Sequence, residues 1–375
     1  MDLKLTPTKL SGSVTPPPAK GMQHRLLIIR ALAGMENKET ADMGDDVRLT
    51  LRGIKALLSE EHPTIECGES GSTLRLLLPI AMAKSGAEFV CGEKLITRPL
   101  PPYAVYKKRE DGWSVPGGSL RSGIFPVPGD QTAQFISGLF FALATLEGDS
   151  TITLTTPLSG HSYVDMSIEL LRRFGVSVEP AYGGYLVCGN QTYVPCESAC
   201  ELDWSIAANY CVMNGLGSDV KIEGMSRPSL QSDAVIEQLC ADFPQRVNVE
   251  DVPDLLPVLA LRAALSPNRM TVLHHAGRMI FQETDRLKKV SSALRSLGAT
   301  VIYNGESVFI FGRETLKGGD VYSFGDHRVA MMAAAAATCC EQDVILHGAE
   351  CVTKSYPRFF EDMKSLGMKV EKIDT

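Results

Sequence analysis

Basic side chains stand at or near the predicted starts of four helices. Lys20 and Arg25 lie in AKGMQHRLLIIRALA, Arg75 in SGSTLRLLLPIAMA, Arg286 in TDRLKKVSSALRSLG and Arg328 in DHRVAMMAAAAATCC. The first turn of a helix carries partial positive charge and unpaired N–H groups, so a cation there is unfavourable by about 0.3–1 kcal/mol. Pairing with nearby acidic residues could offset this cost at any one helix. Recurrence at four helices favours a bound anion.

The composition limits the class of protein. With 375 residues, of which 44% are hydrophobic, the chain is long enough for two or three domains with apolar cores. A formal net charge of -7, without a lysine-rich stripe, argues against a nucleic-acid or anionic-membrane partner. Residues 1–20 lack the apolar run of a signal peptide, and no apolar stretch could span a bilayer. We therefore expect a cytoplasmic protein and predict a monomer.

The cysteines and histidines do not form a metal-binding pattern. The chain has ten cysteines, which we interpret as reduced core thiols. No CxxC pair or HExxH helix occurs, and the CESAC segment from Cys196 to Cys200 lacks a second cluster at zinc spacing. We expect no metal site.

One pattern of elements recurs along the chain. A helix, a turn and two strands joined by a glycine hairpin are predicted over residues 164–189 and again over 284–312. Helices that are apolar on every face, such as FISGLFFALATL and RVAMMAAAAATC, separate the copies and must be buried. We predict an α/β protein of two domains, one formed by residues 16–201 and the other by residues 1–15 and 202–375.

A series of short motifs resembles the enolpyruvyl transferase family, in order and nearly end to end. The series comprises PPAKGMQHRLLIIRALA, CGESGSTLR, TRPL, GDQTAQF, VPDLLP, QETDRL, GDHR and CVTKSYPRFF. The resemblance is strongest to the branch that uses shikimate 3-phosphate. It implies a two-domain inside-out α/β barrel, each domain built from three βαβαββ repeats, with the active site in the cleft between the domains.

The same resemblance implies a reaction of the shikimate pathway, which leads to the aromatic amino acids. The enolpyruvyl group of phosphoenolpyruvate moves to the 5-hydroxyl of shikimate 3-phosphate, and phosphate is released. Neither a metal nor an organic cofactor is implied. Phosphoenolpyruvate is a small polyanion, so its binding requires cations that converge on the phosphate and carboxylate. The family's positions for this ligand fall on Lys20, Gly71, Arg98, Gln134, Arg286, Arg328 and Lys354.

The addition and elimination steps require groups that deliver and remove protons. The resemblance assigns this role to Asp254, Glu283 and Lys20, with Asp254 nearest the acceptor hydroxyl and Glu283 nearest the methylene carbon. From the residues alone, Asp254 could instead cap the helix that follows it, and Glu283 could simply pair with Arg286.

The acceptor side departs from the family pattern. Its expected positions fall on Lys20, Gly21, Arg25, Thr132, Ala133, Gln134, Tyr163, Asp254, Arg278 and Gln282. Gly21, Ala133 and Gly160 stand where the family has serines, and Gln282 where it has a lysine. Each charged hydrogen bond lost costs about 1.5–3 kcal/mol unless another donor replaces it. Candidate replacements are Arg278, His161 and Thr132.

Three functions are therefore open at this point. The first is a divergent enzyme acting on shikimate 3-phosphate, which we favour. The second is an enolpyruvyl transferase with a different small hydroxyl acceptor. The third is a non-catalytic anion-binding relative, which would have no need for paired acid and base groups. A UDP-sugar acceptor is disfavoured because the segment between Arg98 and Gln134 carries no cysteine.

Overall fold

The computed structural model describes residues 1–277, 279 and 285–373. The chain forms a terminal unit, Met1–Ala19 with Glu201–Thr375, and a central unit, Lys20–Cys200. The boundary falls after residue 19, whereas the sequence suggested residue 15. Residues 16–19 belong with the terminal unit because Ala19 N–H donates to the Glu201 carbonyl and Asp203 N–H donates to the Pro17 carbonyl, both at 2.8 Å.

The central unit contains five helices and eight strands among its described residues. The helices are α1 Lys20–Leu32, α2 Asp45–Ser59, α3 Gly71–Ala83, α4 Ala133–Leu143 and α5 His161–Arg173. The strands are β3 Thr64–Gly68, β4 Gly86–Cys91, β5 Lys107–Lys108, β6 Gly112–Pro116, β7 Ile124–Val127, β8 Ser150–Leu154, β9 Val178–Ala181 and β10 Gly184–Val187.

The described part of the terminal unit has its own helices and strands. The helices are α6 Trp204–Gly215, α7 Ile236–Ala241, α8 Leu256–Ala264, α9 Arg286–Ser296, α10 His327–Ala337 and α11 Phe359–Ser365. The strands are β1 Asp2–Thr6, β2 Ser11–Val14, β11 Asp219–Ile222, β12 Arg246–Asn248, β13 Met270–His274, β14 Thr300–Tyr303, β15 Val308–Phe311, β16 Gly319–Tyr322, β17 Val344–His347 and β18 Lys369–Ile373.

Four sheets share one topology. Their strand orders are β3-β4-β6-β5, β7-β8-β10-β9, β12-β13-β15-β14 and β16-β17-β1-β18. In each, a parallel pair is joined through a helix and extended by antiparallel strands. In the last sheet β1 supplies a strand from the start of the chain, and β2 pairs with β11. In the first sheet, residues 92–106 between β4 and β5 form turns where the other copies have a helix.

The apolar helices are buried, as the sequence predicted. All eleven residues of α10 are buried, and in α4 every residue except Gln134 is buried. A Cβ added at Gly138 would lie 2.5 Å from the carbonyl oxygen of Arg75, so this glycine lets α4 pack directly on α3. That close contact positions Gln134 beside the start of α3. Over the described residues, no helix combines the length and apolarity needed to cross a bilayer.

Candidate active site

An ion pair fixes Lys20 at the first residue of α1. Its Nζ lies 2.8 Å from Oδ2 of Asp46, and the two side chains are only 13% and 8% exposed. Asp46 is the second residue of α2, where the helix dipole favours a carboxylate. The pair therefore holds the ammonium group at a defined point, as a binding or proton-transferring group requires.

Two guanidinium groups converge on Gly71 at the start of α3. A Cβ on Gly71 would lie 3.2 Å from Nη1 of Arg75 and 3.3 Å from Nη1 of Arg98. Ser70 caps the helix, since its Oγ accepts from the Thr73 N–H at 3.2 Å. Backbone N–H groups and cations together favour an anion. The structure thus brings Gly71 and Arg98 together, as expected from the sequence.

Gln134 lies against the same loop. Its Nε2 donates to Ser72 Oγ at 2.8 Å, and its Oε1 accepts from Nη1 of Arg75 at 3.2 Å. Arg75 therefore supports the glycine loop, because it contacts both Gln134 and the Gly71 position. Gln134 links α4 to the start of α3.

Arg25 is a buried cation whose partners are neutral. Its Nε donates to Ser167 Oγ at 2.6 Å, and Nη2 donates to Ser137 Oγ at 3.3 Å. The remaining acceptors are the backbone carbonyls of Gly21, at 2.7 Å, and Tyr163, at 3.3 Å. Burial lowers the pKa of the guanidinium to about 10, so it stays charged at neutral pH. A buried charge without a counter-charge favours an anionic ligand.

One acceptor-side departure, Gly160, has a local structural explanation, and one candidate replacement, Thr132, already has a structural role. Gly160 precedes α5 with φ of 75°, a left-handed conformation that a serine would adopt only with strain. Thr132 caps α4, because its Oγ1 accepts from the Gln134 N–H at 3.2 Å, so its hydroxyl is already engaged. Ala133 and His161 are the first residues of α4 and α5. Gly21 differs: a Cβ there would meet the Tyr163 ring at 3.6 Å, an ordinary contact.

In the terminal unit, Asp254 bridges two buried arginines. Its Oδ1 accepts from Nη1 of Arg286 at 2.8 Å, and its Oδ2 accepts from Nη2 of Arg328 at 3.0 Å. Both arginine side chains are under 5% exposed, whereas Asp254 is 26% exposed. Asp254 lies in a short 3-10 turn ahead of α8, and within the described residues no side chain caps α8. Bridging, not capping, is its structural role.

Further acidic residues surround these arginines. Asp326 caps α10 and also accepts from Nε of Arg286 at 3.1 Å. Burial opposes its ionisation, yet the Arg286 charge holds the pKa of Asp326 below its ordinary value. Asp233 is buried, and that burial raises the pKa of its carboxyl well above the ordinary value, with the Asp254 charge adding to the effect. Asp254 and Asp326 therefore balance the charges of Arg286 and Arg328, and the raised pKa of Asp233 limits the negative charge that it adds to the cluster.

Arg328 has spare donors. Its Nε and Nη1 are buried without a hydrogen-bond partner among the described residues. Although burial opposes its charge, Asp254 raises the pKa of Arg328, so the guanidinium is ionised. Buried N–H donors without acceptors are costly, and a phosphate or carboxylate would satisfy them.

The remaining predicted residues divide into two groups. Lys354 lies beside the loop that starts α10, since its Nζ donates to the Gly325 carbonyl at 2.9 Å. Arg278, Gln282 and Glu283 lie outside the described residues.

Sequence reasoning missed several partners of the predicted residues. These are Asp46 beside Lys20, Ser137 and Ser167 around Arg25, and Asp326 beside Arg286. Asp46 could have been recognised in the sequence, because an acidic residue in the first turn of a helix is a favourable partner for a nearby cation such as Lys20. The two serines could not, since a serine within a helix is ordinary.

Comparisons with known proteins agree on one family. Residues 5–363 match the model of the family described as EPSP synthase (3-phosphoshikimate 1-carboxyvinyltransferase). The chain is 37% identical to the 3-phosphoshikimate 1-carboxyvinyltransferase of Clostridium kluyveri, over 99% of this chain and 98% of that protein. It is 34% identical to that of Clostridium acetobutylicum, over 99% and 98%.

A comparison with solved structures bears on the fold. The solved structure of EPSP synthase from Acinetobacter baumannii superimposes with a TM-score of 0.77, at 22% identity, over 99% of this chain and 100% of that one. The match confirms the predicted α/β fold. From the ordered motifs, the family model and the curated relatives, this chain belongs to the EPSP synthase (3-phosphoshikimate 1-carboxyvinyltransferase) family.

Proposed function

We propose that this enzyme transfers the enolpyruvyl group of phosphoenolpyruvate to the 5-hydroxyl of shikimate 3-phosphate and releases phosphate. Family membership supports the reaction. The structural observation that carries it is the buried pair of arginines around Asp254, with donors of Arg328 left for an anion. A carboxylate that bridges two guanidinium groups occupies the positions that a phosphate or carboxylate of the substrate would take.

The donor substrate is assigned the cations and the glycine that the family resemblance implies. We assign its anionic groups to Arg286, Arg328 and Lys354 in the terminal unit. In the central unit we assign them to Lys20, Gly71, Arg98 and Gln134. Forked guanidinium groups suit the planar carboxylate and the phosphate oxygens of the donor. They are charged and in place before the reaction, so they can stabilise its anionic groups without rearranging.

The proposed chemistry is addition followed by elimination. The acceptor oxygen forms a bond to C2 of phosphoenolpyruvate, its proton passes to a base, and an acid delivers a proton to the methylene carbon. In the second step the C2–O bond to phosphate breaks, and the new methyl group gives a proton back. We assign Asp254 as the base for the hydroxyl, with Glu283 and Lys20 as the other proton-transferring groups.

The arginine bridge has a consequence for Asp254. A carboxylate held by two cations is a weak base, because both interactions favour the charged form. An anionic substrate that draws the arginines away would strengthen Asp254 as a base at the moment when it is needed. Binding of the donor thereby prepares the base.

The acceptor site is assigned to the central unit around Arg25. The guanidinium would bind the acceptor carboxylate, and the Tyr163 ring, 5.9 Å from Cζ of Arg25, would line the same site. The starts of α4 and α5 present N–H groups suited to the acceptor phosphate. We further propose that the enzyme is a monomer and that it acts in the cytoplasm. In that reducing compartment its ten free cysteines would stay reduced.

The test is phosphate release from phosphoenolpyruvate with shikimate 3-phosphate, with unphosphorylated shikimate, and with no acceptor. Release with shikimate 3-phosphate alone supports the proposal. Asp254→Asn should abolish release, because the amide keeps the shape but cannot take the proton; thermal denaturation checks that the variant is folded, since the change also removes the counter-charge of two buried arginines. Equal turnover by this variant would refute the assignment of the base.

A second candidate, transfer to a different hydroxyl acceptor, is favoured by one observation. Gly21 has room for the side chain that the family carries there, so the loss of that hydroxyl is not forced by the fold. Release with another small polyol or hydroxy acid, but not with shikimate 3-phosphate, would favour this candidate.

A further inference from the structure

A buried chain of polar side chains lies behind Lys20 and the Gly71 loop. Nδ1 of His24, on α1, lies 2.7 Å from Oγ1 of Thr50 on α2. That oxygen lies 2.7 Å from Oγ1 of Thr73 on α3, which in turn lies 2.8 Å from Oγ of Ser70. All four side chains are buried. Three helices are thus joined through polar groups that would be costly to bury unsatisfied.

The donors and acceptors in this series of hydrogen bonds can be assigned from His24 onward. Nε2 of His24 is buried with no hydrogen-bond partner in the described part of the protein. A bare acceptor is tolerated better than a bare N–H, so the proton belongs on Nδ1, which donates to Thr50. Thr50 then donates to Thr73, and the single hydroxyl hydrogen of Thr73 is left to donate either to the Asp46 carbonyl, 3.2 Å away, or to Ser70 Oγ, 2.8 Å away.

His24 stays neutral in this position. Burial lowers the pKa of its imidazole to about 3, and the charge of Lys20 adds to the effect. A neutral donor with one hydrogen bond is therefore all that the chain requires of this residue.

The far end of the chain reaches two groups of the donor site. The Asp46 carbonyl oxygen lies 3.4 Å from the hydroxyl of Thr50 and 3.2 Å from that of Thr73, and the Asp46 carboxylate holds Lys20. Ser70 caps α3 immediately before Gly71. The hydroxyl chain is therefore positioned to fix both the ion pair and the glycine loop relative to α1.

The neighbouring Arg25 faces a different part of the unit. Its side chain bonds to residues of α4 and α5, whereas His24 bonds to α2. A defect at His24 should therefore weaken the donor site most and reach the acceptor site only slightly, through Lys20, which the resemblance assigns to both. This separation distinguishes a positioning role from a general loss of structure.

We propose that His24 is a positioning residue for phosphoenolpyruvate, acting through Thr50 on the Asp46–Lys20 pair and on the loop before α3. The inference rests on the proposed function, because that function assigns Lys20 and Gly71 to the donor. Preorganisation of this kind lowers the cost of arranging the site when substrate arrives.

The main test compares His24→Leu with His24→Asn. Leucine removes the donor, whereas the asparagine amide places an N–H near the position of Nδ1. We expect kcat/KM for phosphoenolpyruvate to fall about tenfold in His24→Leu, the worth of one buried hydrogen bond, and less than threefold in His24→Asn. Affinity for shikimate 3-phosphate, measured alone by calorimetry, should change little. Equal losses in the two variants, or a matching loss of acceptor affinity, would overturn the proposal.

A double-mutant cycle tests the route of the effect. Asp46→Asn releases Lys20 by itself, so adding His24→Leu to it should cost little more. Losses that multiply would show that His24 does not act through the ion pair. Thr50→Val should reproduce the His24→Leu defect, because it removes the linking hydroxyl and keeps the shape.

Thr271→Val is the matched control. Thr271 is also a fully buried threonine, and its hydroxyl has no hydrogen-bond partner among the described residues, so its loss should leave kcat/KM unchanged. Thermal denaturation of each variant checks that it is folded.

If the wild-type enzyme releases no phosphate with shikimate 3-phosphate, the proposed function fails. The His24 proposal is then decided by calorimetry with phosphoenolpyruvate, where unchanged affinity in His24→Leu would overturn it.

Discussion

Replacing Arg25 by methionine should separate acceptor binding from stability. Truncating one member of a buried ion pair usually destabilises a protein by about 3–5 kcal/mol, because the other charge is left alone. Among the residues that the structure describes, Arg25 has no acidic partner that its loss would leave unpaired: its acceptors there are two serine hydroxyls and two backbone carbonyls. Methionine also keeps much of the packing volume of the arginine stem.

The acceptors that Arg25 leaves behind remain satisfied. The hydroxyls of Ser137 and Ser167 lie 2.8 Å apart and can bond to each other, and Ser167 also donates to the Tyr163 carbonyl at 2.9 Å. We therefore expect the free energy of unfolding of Arg25→Met to lie within about 1 kcal/mol of the wild-type value.

Acceptor affinity should fall sharply in the same variant. A charge-assisted bond to a carboxylate contributes about 1.5–3 kcal/mol, which corresponds to a loss of roughly 10- to 150-fold. Calorimetry with shikimate 3-phosphate and urea denaturation measure the two quantities. A free energy of unfolding more than 3 kcal/mol below the wild-type value, together with an unchanged affinity for shikimate 3-phosphate, would show that Arg25 has a purely structural role.

Three other predictions test single features of the structure. Gly21→Ser should be tolerated and should lower KM for shikimate 3-phosphate. Gly160→Ser should instead lower the free energy of unfolding by about 1 kcal/mol in urea denaturation, because the backbone at residue 160 is left-handed. Equal stability of the two variants would contradict the φ of 75° at Gly160. Gly71→Ala should raise KM for phosphoenolpyruvate by tenfold or more, because the methyl would crowd two guanidinium groups at 3.2 and 3.3 Å; an unchanged KM would remove this loop from the donor site. Asp320 and Asp2 raise the pKa of His347 in the folded protein. Protonated His347 should therefore contribute its full stabilisation of the fold below about pH 6.5, and this contribution should be lost as the pH rises through the pKa of His347 in the folded protein. Thermal melting from pH 5 to 9 should show this trend in the wild type and not in His347→Asn.

The element pattern could be predicted from the sequence because it depends on local chemistry. Helices that are apolar on all faces had to be buried, and α4 and α10 are. Glycine hairpins between alternating segments had to join antiparallel strands, as β9–β10 and β14–β15 do.

The boundary of the units could not be read from local signals. Residues 16–19 look like a proline-rich linker, yet backbone hydrogen bonds to residues 201 and 203 place them in the terminal unit. Such pairings join positions far apart in the chain and leave no mark on either segment.

The sequence by itself determined which residues carry the charge for an anionic substrate: Lys20, Arg25, Arg98, Arg286 and Arg328 follow from ordered motifs and from cations at helix starts. Only the tertiary structure decided what each cation meets. It gave Lys20 a carboxylate, gave Arg25 only neutral oxygens, and placed Asp254 between two arginines. The physical reason is that a charge is a property of one residue, whereas its pKa and its free donors depend on partners brought together by folding.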